Sequence, residues 1–537
     1  MAANFWRDME EPSHDMSELA FELFDRYGYL NAKFKDHCIQ RGTGVWGAEM
    51  DNGPLFLIER TIVTDRDLRG KGIGRAMISL MIQKAQTREK PQTGEQIQMS
   101  KIFYGEEDLS KYSTLHAVVV PGWLRSDVEP LAKGVSRAEK RKIYNQACDD
   151  AVAFYRTFGF RRIGASSCFG YSFDPAHKSR AIEASADYDP PEPPEEDLSE
   201  DEGANPFDDS KQQKKMDRLR DKLPLHHATL TLPDKECVAF YKGFLDHSGI
   251  EWKQSDRLEN NVLHVAACQQ KPESVKWIME NANTGTVLSS SRNIHGYTPL
   301  EALQDVLEIG RTRKEVRMLT LVVADQFEGF NTDAVDCLSL LTGLDPRTMS
   351  KIQRQRLKFG CTCGECLDGF MSPRMCAALL FQAETTCDML DMDIGNGPDW
   401  CMSNDYMFTY VAPDLRQNFR TNKSYREGFK NIFGFMAECL RAKMLPVRDN
   451  VLLQWENESE WPPVTRNYLQ RGGTLEGKIE PALRICFDHA QEQGEKTGDG
   501  EYERVMKNEV PLLKKCRNDD EFRFVAVQCG LPAQEYY

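Results

Sequence analysis

Two short stretches carry residue types and spacings suited to chemistry. The first, RGKGIG from Arg69 to Gly74, sets three glycines beside Arg69, Lys71 and Arg75. Backbone N–H groups laid bare by glycine, next to local positive charge, are what an anion requires. The second, CTCGEC, places Cys361, Cys363 and Cys366 as Cys-x-Cys-x-x-Cys. Three thiolates so close suit one zinc ion, with Cys376, Cys387 or Cys401 as candidates for a fourth ligand.

The glycine spacing narrows the choice of anion. A P-loop needs a hydroxyl residue directly after its Gly-Lys pair to ligate magnesium, and here Gly72 follows Lys71. A dinucleotide fingerprint needs Gly-x-Gly-x-x-Gly, whereas Gly70, Gly72 and Gly74 alternate. The flanking elements still suit an anion site. PLFLIERTIV reads as a buried strand, and AMISLMIQKA as a helix with Ile73, Met77, Leu80 and Met81 on one face. Strand, glycine turn and helix in that order bring the positive helix end to the glycines. Farther on, DDAVAFYRTFGFRRIG reads as a helix with Ala147, Ala151, Phe154, Tyr155 and Phe158 on one face. Gly159 closes it and a strand follows, while TLHAVVVPGW supplies another strand between the two motifs.

Arg69, Gly72 and Gly74 form Arg-x-x-Gly-x-Gly, and Ala151, Tyr155, Gly159 and Phe160 form Ala-x-x-x-Tyr-x-x-x-Gly-Phe. In order and spacing these resemble the GNAT acetyltransferase family, over roughly residues 20 to 175. The resemblance implies a strongly twisted mixed sheet flanked by helices, with acetyl-CoA or another acyl-CoA in a splay between the fourth and fifth strands. Its pyrophosphate would rest on Arg69, Gly70, Lys71, Gly72, Ile73, Gly74 and Arg75. The acceptor amine would attack the thioester directly, without a covalent enzyme intermediate. Tyr155 would protonate the departing thiolate, a backbone N–H near Val63 would hold the oxyanion, and Glu59 would take the amine proton. The chain departs from the family at Cys148, where many members carry an Asn that touches the cofactor. The loops from Arg88 to Ser113 and from Pro121 to Gln146 exceed a minimal unit, and the second holds the basic stretch SRAEKRKIYNQ.

The rest of the chain positions these motifs. At 537 residues it is too long for one core. The net charge of -15 argues against nucleic acid as a partner, but it is concentrated: twelve Asp or Glu and no Lys or Arg lie between Glu183 and Asp209. That Pro-rich acidic stretch reads as a disordered linker. After it, LPLHHATL, NVLHVAAC and HGYTPLEALQ recur, with Leu225, Leu263 and Leu300 spaced by 38 and 37 residues. Gly296, Thr298, Pro299 and Leu300 resemble the ankyrin turn, whose unit is roughly 33 residues, and His264 belongs to the Leu-His pair of such repeats. Ankyrin-type arrays bind proteins. In YREGFKNIFGFMAECLRAKML, Phe429, Phe433, Met436 and Leu440 share a helical face.

The expected fold is therefore multidomain: an α+β GNAT-like domain over 15–178, an acidic linker over 179–214, all-α ankyrin-like repeats over 215–325, a helical region with the cysteine knuckle over 326–404, and a helical C-terminal domain over 405–537. No membrane segment is read, and the polar acidic start MAANFWRDMEEPSHD with sixteen cysteines leads to an intracellular location, cytoplasmic or nuclear. The leading functional reading is an acyl-CoA-dependent N-acyltransferase joined to a protein-interaction module. Its rival is a non-catalytic ankyrin scaffold that keeps coenzyme A as a ligand or carries an inactive GNAT-like domain. A third makes the C-terminal half a zinc-dependent interaction domain.

Overall fold

A computed structural model describes residues 5–9, 13–51, 54–88, 115–192, 209–244, 251–282, 285–316, 319–322, 327–491, 504 and 508–533. Over these described residues the chain is mostly helical, with one four-stranded mixed sheet, and it divides into two units. One spans Ala2–Gln269 and Trp277–Ala302, the other Gln270–Lys276 and Leu303–Tyr537. No helix among the described residues is long and apolar enough to cross a membrane.

In the first unit a single turn at Phe5–Asp8 precedes helix α1 (His14–Leu23), which is capped by the Ser13 hydroxyl accepting the Met16 N–H. Strand β1 (Leu55–Ile58) leads through the glycine turn into α2 (Ile73–Arg88), and β2 (His116–Val119) returns parallel to β1. A parallel return requires such a crossover. Helices α3 (Arg125–Val128) and α4 (Arg137–Arg156) follow, then β3 (Arg161–Arg162) and β4 (Phe169–Ser172), giving the order β1-β2-β4-β3 with the last two pairings antiparallel. The sheet is covered on both faces, so β2 is buried throughout: Ala117 and Val119 join one apolar cluster and Val118 the other.

Three expectations for this unit are corrected. On α2 Met81 packs against the core and Ile73 and Met77 are half-buried, but Leu80 is 63% exposed, and the most buried side chains are Ile78 and Ile82. The apolar arc of the helix is broad, and the sheet covers the side centred on Ile78 and Ile82, which leaves Leu80 at its outer edge. SRAEKRKIYNQ is not loop but the start of α4, fixed by a capping box in which Ser136 and Glu139 bond reciprocally. The stretch expected as an acidic linker, 179–214, is folded at both described ends, 209–214 as the start of a helix. Residues 179–192 fold against the unit, because Asp187 and Asp189 neutralise a basic pair: Arg156 meets Asp187 at 2.9 Å and Asp189 at 2.8 Å, and Arg162 meets Asp189 at 2.7 Å. The linker's acidic centre, 193–208, and most of the loop from Arg88 to Ser113 lie outside the described residues.

Helix α5 (Asp209–Lys222) precedes the pair α6 (Pro224–Thr231) and α7 (Asp234–Gly243), and α8 (Val262–Cys268) packs on α6. Two similar turns stack here. Asp256 Oδ1 accepts the N–H groups of Leu258 and Asn260, Asn293 Oδ1 those of His295 and Tyr297, and the Asn293 amide donates to Asn260 Oδ1 at 2.9 Å. Buried His226 reaches the Asn260 carbonyl 34 residues on, and His264 the Tyr297 carbonyl 33 on, both at 2.9 Å. The second turn rests on the N-terminal part: Gln40 Nε2 donates to the His295 carbonyl, and a Cβ on Gly296, at φ +77°, would come within 2.6 Å of Ile39. Glycine is required there on both counts.

In the second unit a two-stranded hairpin, β5 (Arg313–Val316) and β6 (Leu319–Val322), stands where an all-α run was expected. Beyond it, α9 (Lys351–Lys358) leads to Phe359, which joins α10 (Pro373–Asp391), α11 (Lys423–Arg441), α12 (Glu476–Gln491) and α13 (Phe522–Gln528) in one large core. The predicted face of α11 is its centre: Phe429, Phe433, Met436 and Leu440 are all buried. Each contributes about 1.5–3 kcal/mol from removal of apolar surface from water. The buried Arg426 guanidinium, on the same helix, ties down the carbonyls of Ile394 and Phe419.

Candidate metal centre and glycine-turn site

The cysteine knuckle forms where α9 ends. Gly360 (φ +67°) turns the chain out of the helix, and Gly364 (φ +74°) folds it back, so that Cys361, Cys363 and Cys366 face inward. The fourth thiol is Cys516, 150 residues beyond Cys366. All four sulfurs lie within 4.8 Å of one another. Cys361 to Cys363 is 3.6 Å, Cys363 to Cys366 3.7 Å and Cys366 to Cys516 3.5 Å. A disulfide would bring two sulfurs to about 2.05 Å. Instead the spacing approaches the tetrahedral edge of about 3.8 Å that a Zn–S bond of about 2.3 Å gives.

Several donors point at these sulfurs. The Glu365 N–H approaches Cys363 Sγ at 3.3 Å, the Thr362 hydroxyl Cys516 Sγ at 3.7 Å, and the Asn518 amide Cys366 Sγ at 3.9 Å. Thiol–thiol bonds from Cys361 and Cys366 pull Cys516 well below its ordinary value, and bonds from Cys361 and Cys516 hold Cys366 well above it. Cys376, Cys387 and Cys401, the candidates for fourth ligand, instead pack against the C-terminal apolar core, where burial pushes each thiol up. No local spacing marked Cys516, a lone cysteine in KKCRNDD.

The glycine turn is assembled from nearby residues. Gly70 (φ +69°) and Gly72 (φ +81°) both adopt the left-handed conformation, and no atom lies within 4 Å of where a Cβ would stand on either. The first helical bond of α2 runs from the Ala76 N–H to the Gly72 carbonyl, so the N–H groups of Ile73, Gly74 and Arg75 lack helical partners. Lys71 is exposed beside them. The Arg69 side chain is already engaged, donating to the Val63 carbonyl at 2.7 Å and pairing with Asp127 of α3. It fastens the turn to its surroundings and leaves ligand contacts to the backbone.

The two distant motifs meet. A Cβ on Gly74 would lie 3.9 Å from the Phe154 ring, Arg75 reaches Thr157 Oγ1 at 3.4 Å, and its guanidinium sits 5.3 Å from the Phe158 ring centroid. Tyr155 is 8% exposed and shares one apolar cluster with Ile58 and Val119, the last paired residues of β1 and β2. Burial raises its phenol above the usual value, with Thr61 pulling the other way. Glu59 is exposed, and its carboxylate accepts the Ser13 hydroxyl at 2.5 Å.

No family model matches this chain, and neither the curated proteins nor the solved structures contain a match.

Proposed function

We propose that the N-terminal unit is an acyl-CoA-dependent N-acyltransferase, held by the repeat region that follows it. The observation that carries this reading is the meeting of the glycine turn with the Tyr155 helix where β1 and β2 stop pairing, at Ile58 and Val119. The GNAT resemblance requires a cofactor site at that point, between strands that correspond to β1 and β2. Left-handed Gly70 and Gly72, with the free N–H groups of Ile73 to Arg75, suit the pyrophosphate of acetyl-CoA, which supplies the acyl thioester.

In the transfer, a carbon–nitrogen bond forms to the acceptor amine and the carbon–sulfur bond breaks. The amine gives up a proton and the departing thiolate gains one. Burial keeps the Tyr155 phenol protonated, as a donor to the thiolate must be. Glu59 is less suited as the base, because it is exposed and already bonded to Ser13. The amine proton then leaves through water.

The stacked turns support the ankyrin-like reading, since His226 and His264 each bridge to the next turn at a spacing of 34 and 33 residues. The second turn is occupied by Ile39 and Gln40 of this chain, so a protein partner would use another face. None of the sixteen cysteines is in a disulfide, which suits a reducing cytoplasmic or nuclear compartment.

The test is the mass shift of an amine and peptide panel incubated with acetyl-CoA and the full chain. The native chain acylates at least one class of amine, Gly72→Glu abolishes transfer, and Tyr155→Phe slows it about 100-fold or more. Coenzyme A binding without transfer to any acceptor would favour the scaffold reading.

A further inference from the structure

The cysteine cluster is not used by acyl transfer, and it stands apart from that chemistry by composition. We infer that Cys361, Cys363, Cys366 and Cys516 bind one zinc ion as a closed tetrathiolate that pins the C-terminal segment to the knuckle. The donor set is entirely thiol, and soft sulfur ligands in tetrahedral array select zinc or iron–sulfur chemistry. Four sulfurs within 4.8 Å fit one ion and leave no position for water, so the ion is structural and performs no catalysis. Binding releases four thiol protons as four zinc–sulfur bonds form, and no oxidant or reductant is needed.

The residues after Cys516 show what the ion secures. Asn518 donates to the Phe359 carbonyl at 3.3 Å and accepts from Arg311 at 2.9 Å, and Glu521 pairs with Arg311 at 3.0 Å. Arg311 is fully buried between the rings of Phe327 and Phe524. Its charge is therefore neutralised by a segment that the fourth ligand anchors. The Thr362 hydroxyl accepts the Arg517 N–H at 3.0 Å, and Lys514 pairs with Glu365, so knuckle and segment meet on both sides of the sulfurs.

The experiment is elemental analysis of the full chain after exhaustive dialysis, combined with cobalt(II) substitution. Native protein is expected to hold one zinc per chain, and the cobalt form to show the thiolate charge-transfer absorption of a tetrahedral four-sulfur site. Cys516→Ser and Cys361→Ser should lose the ion, whereas Cys387→Ser should keep it. Chelation should expose four additional thiols to titration and make the segment around Cys516 sensitive to protease. A folded, metal-free native chain would overturn the assignment, as would iron in place of zinc. Full zinc content in Cys516→Ser would remove Cys516 as the fourth ligand. The cobalt spectrum is read on the native sequence, so it decides the matter even where a variant fails to fold.

Discussion

The glycine turn and the cysteine cluster are built in opposite ways. The turn is local: within a few consecutive residues left-handed Gly70 and Gly72 lead to the unpartnered N–H groups of Ile73 to Arg75, and side chains such as Arg69 brace it against Val63 and Asp127. The cluster is assembled at long range from side chains, three on one knuckle and the fourth 150 residues away. A backbone site is specified wherever its strand, glycines and helix coincide. A side-chain site exists only once the surrounding fold is complete, so its ligands and the core beneath them should be lost or kept together.

That contrast can be broken first at the buried arginine. Replacing Glu521 by Ala leaves the Arg311 charge without its carboxylate partner in an apolar surrounding, which should cost the second unit about 3–5 kcal/mol. Chemical denaturation, followed through the second unit, measures it. A loss near zero would mean that the segment after Cys516 is not a folded part of the core. The same variant should weaken metal retention while leaving the glycine turn's ligand binding unchanged.

A smaller effect separates the first unit by its response to acid. His116 on β2 is almost fully buried, and neither ring nitrogen has a partner. It packs between Trp46 and His177, with Glu49 and Asp174 also acting on it. Burial, reinforced by His177, lowers its pKa below the usual 6.5, so the folded state keeps it neutral while the unfolded chain accepts a proton. Stability is therefore full above pH 6.5 and falls as the pH drops toward the folded value. His226 and His264, lowered by the same cause, add slope of the same sign. Denaturation midpoints from neutral to mildly acid pH should decline less steeply in His116→Leu than in the native chain. An unchanged slope would show that His116 finds a partner in solution.

The two sites also differ in what could be read from residues alone. The turn, its strand and helix, and the Tyr155 helix closed by Gly159 follow from local patterns, because glycine conformation and helix capping are decided within a few residues. The contacts of Gly74 and Arg75 with Phe154, Thr157 and Phe158 bring these local readings together. On α2 the pattern brings Met81 to the core but not Leu80, because the apolar arc is broad and only the sheet decides that it centres on Ile78 and Ile82. The start of α4 is legible in Ser136 and Glu139, whose spacing is that of a capping box. Cys516 was beyond reach. Cys376, Cys387 and Cys401 are nearer in sequence to the knuckle, yet burial in the helical core removes them, and nothing in spacing reveals which distant cysteine the fold returns. Asp187 and Asp189 show the same limit from the other side, since an acidic stretch reads as linker until Arg156 and Arg162 are seen opposite.

The reading of the first unit as an acyl-CoA enzyme rests on the turn holding a pyrophosphate through its backbone. Calorimetric titration of the full native chain with coenzyme A tests this most directly, with Gly72→Glu as the comparison. The account predicts one binding site per chain in the native protein and none in the variant, because a side chain at Gly72 would stand where the phosphate approaches and would strain a left-handed residue. Absence of binding to the native chain, or equal binding by Gly72→Glu, would contradict it.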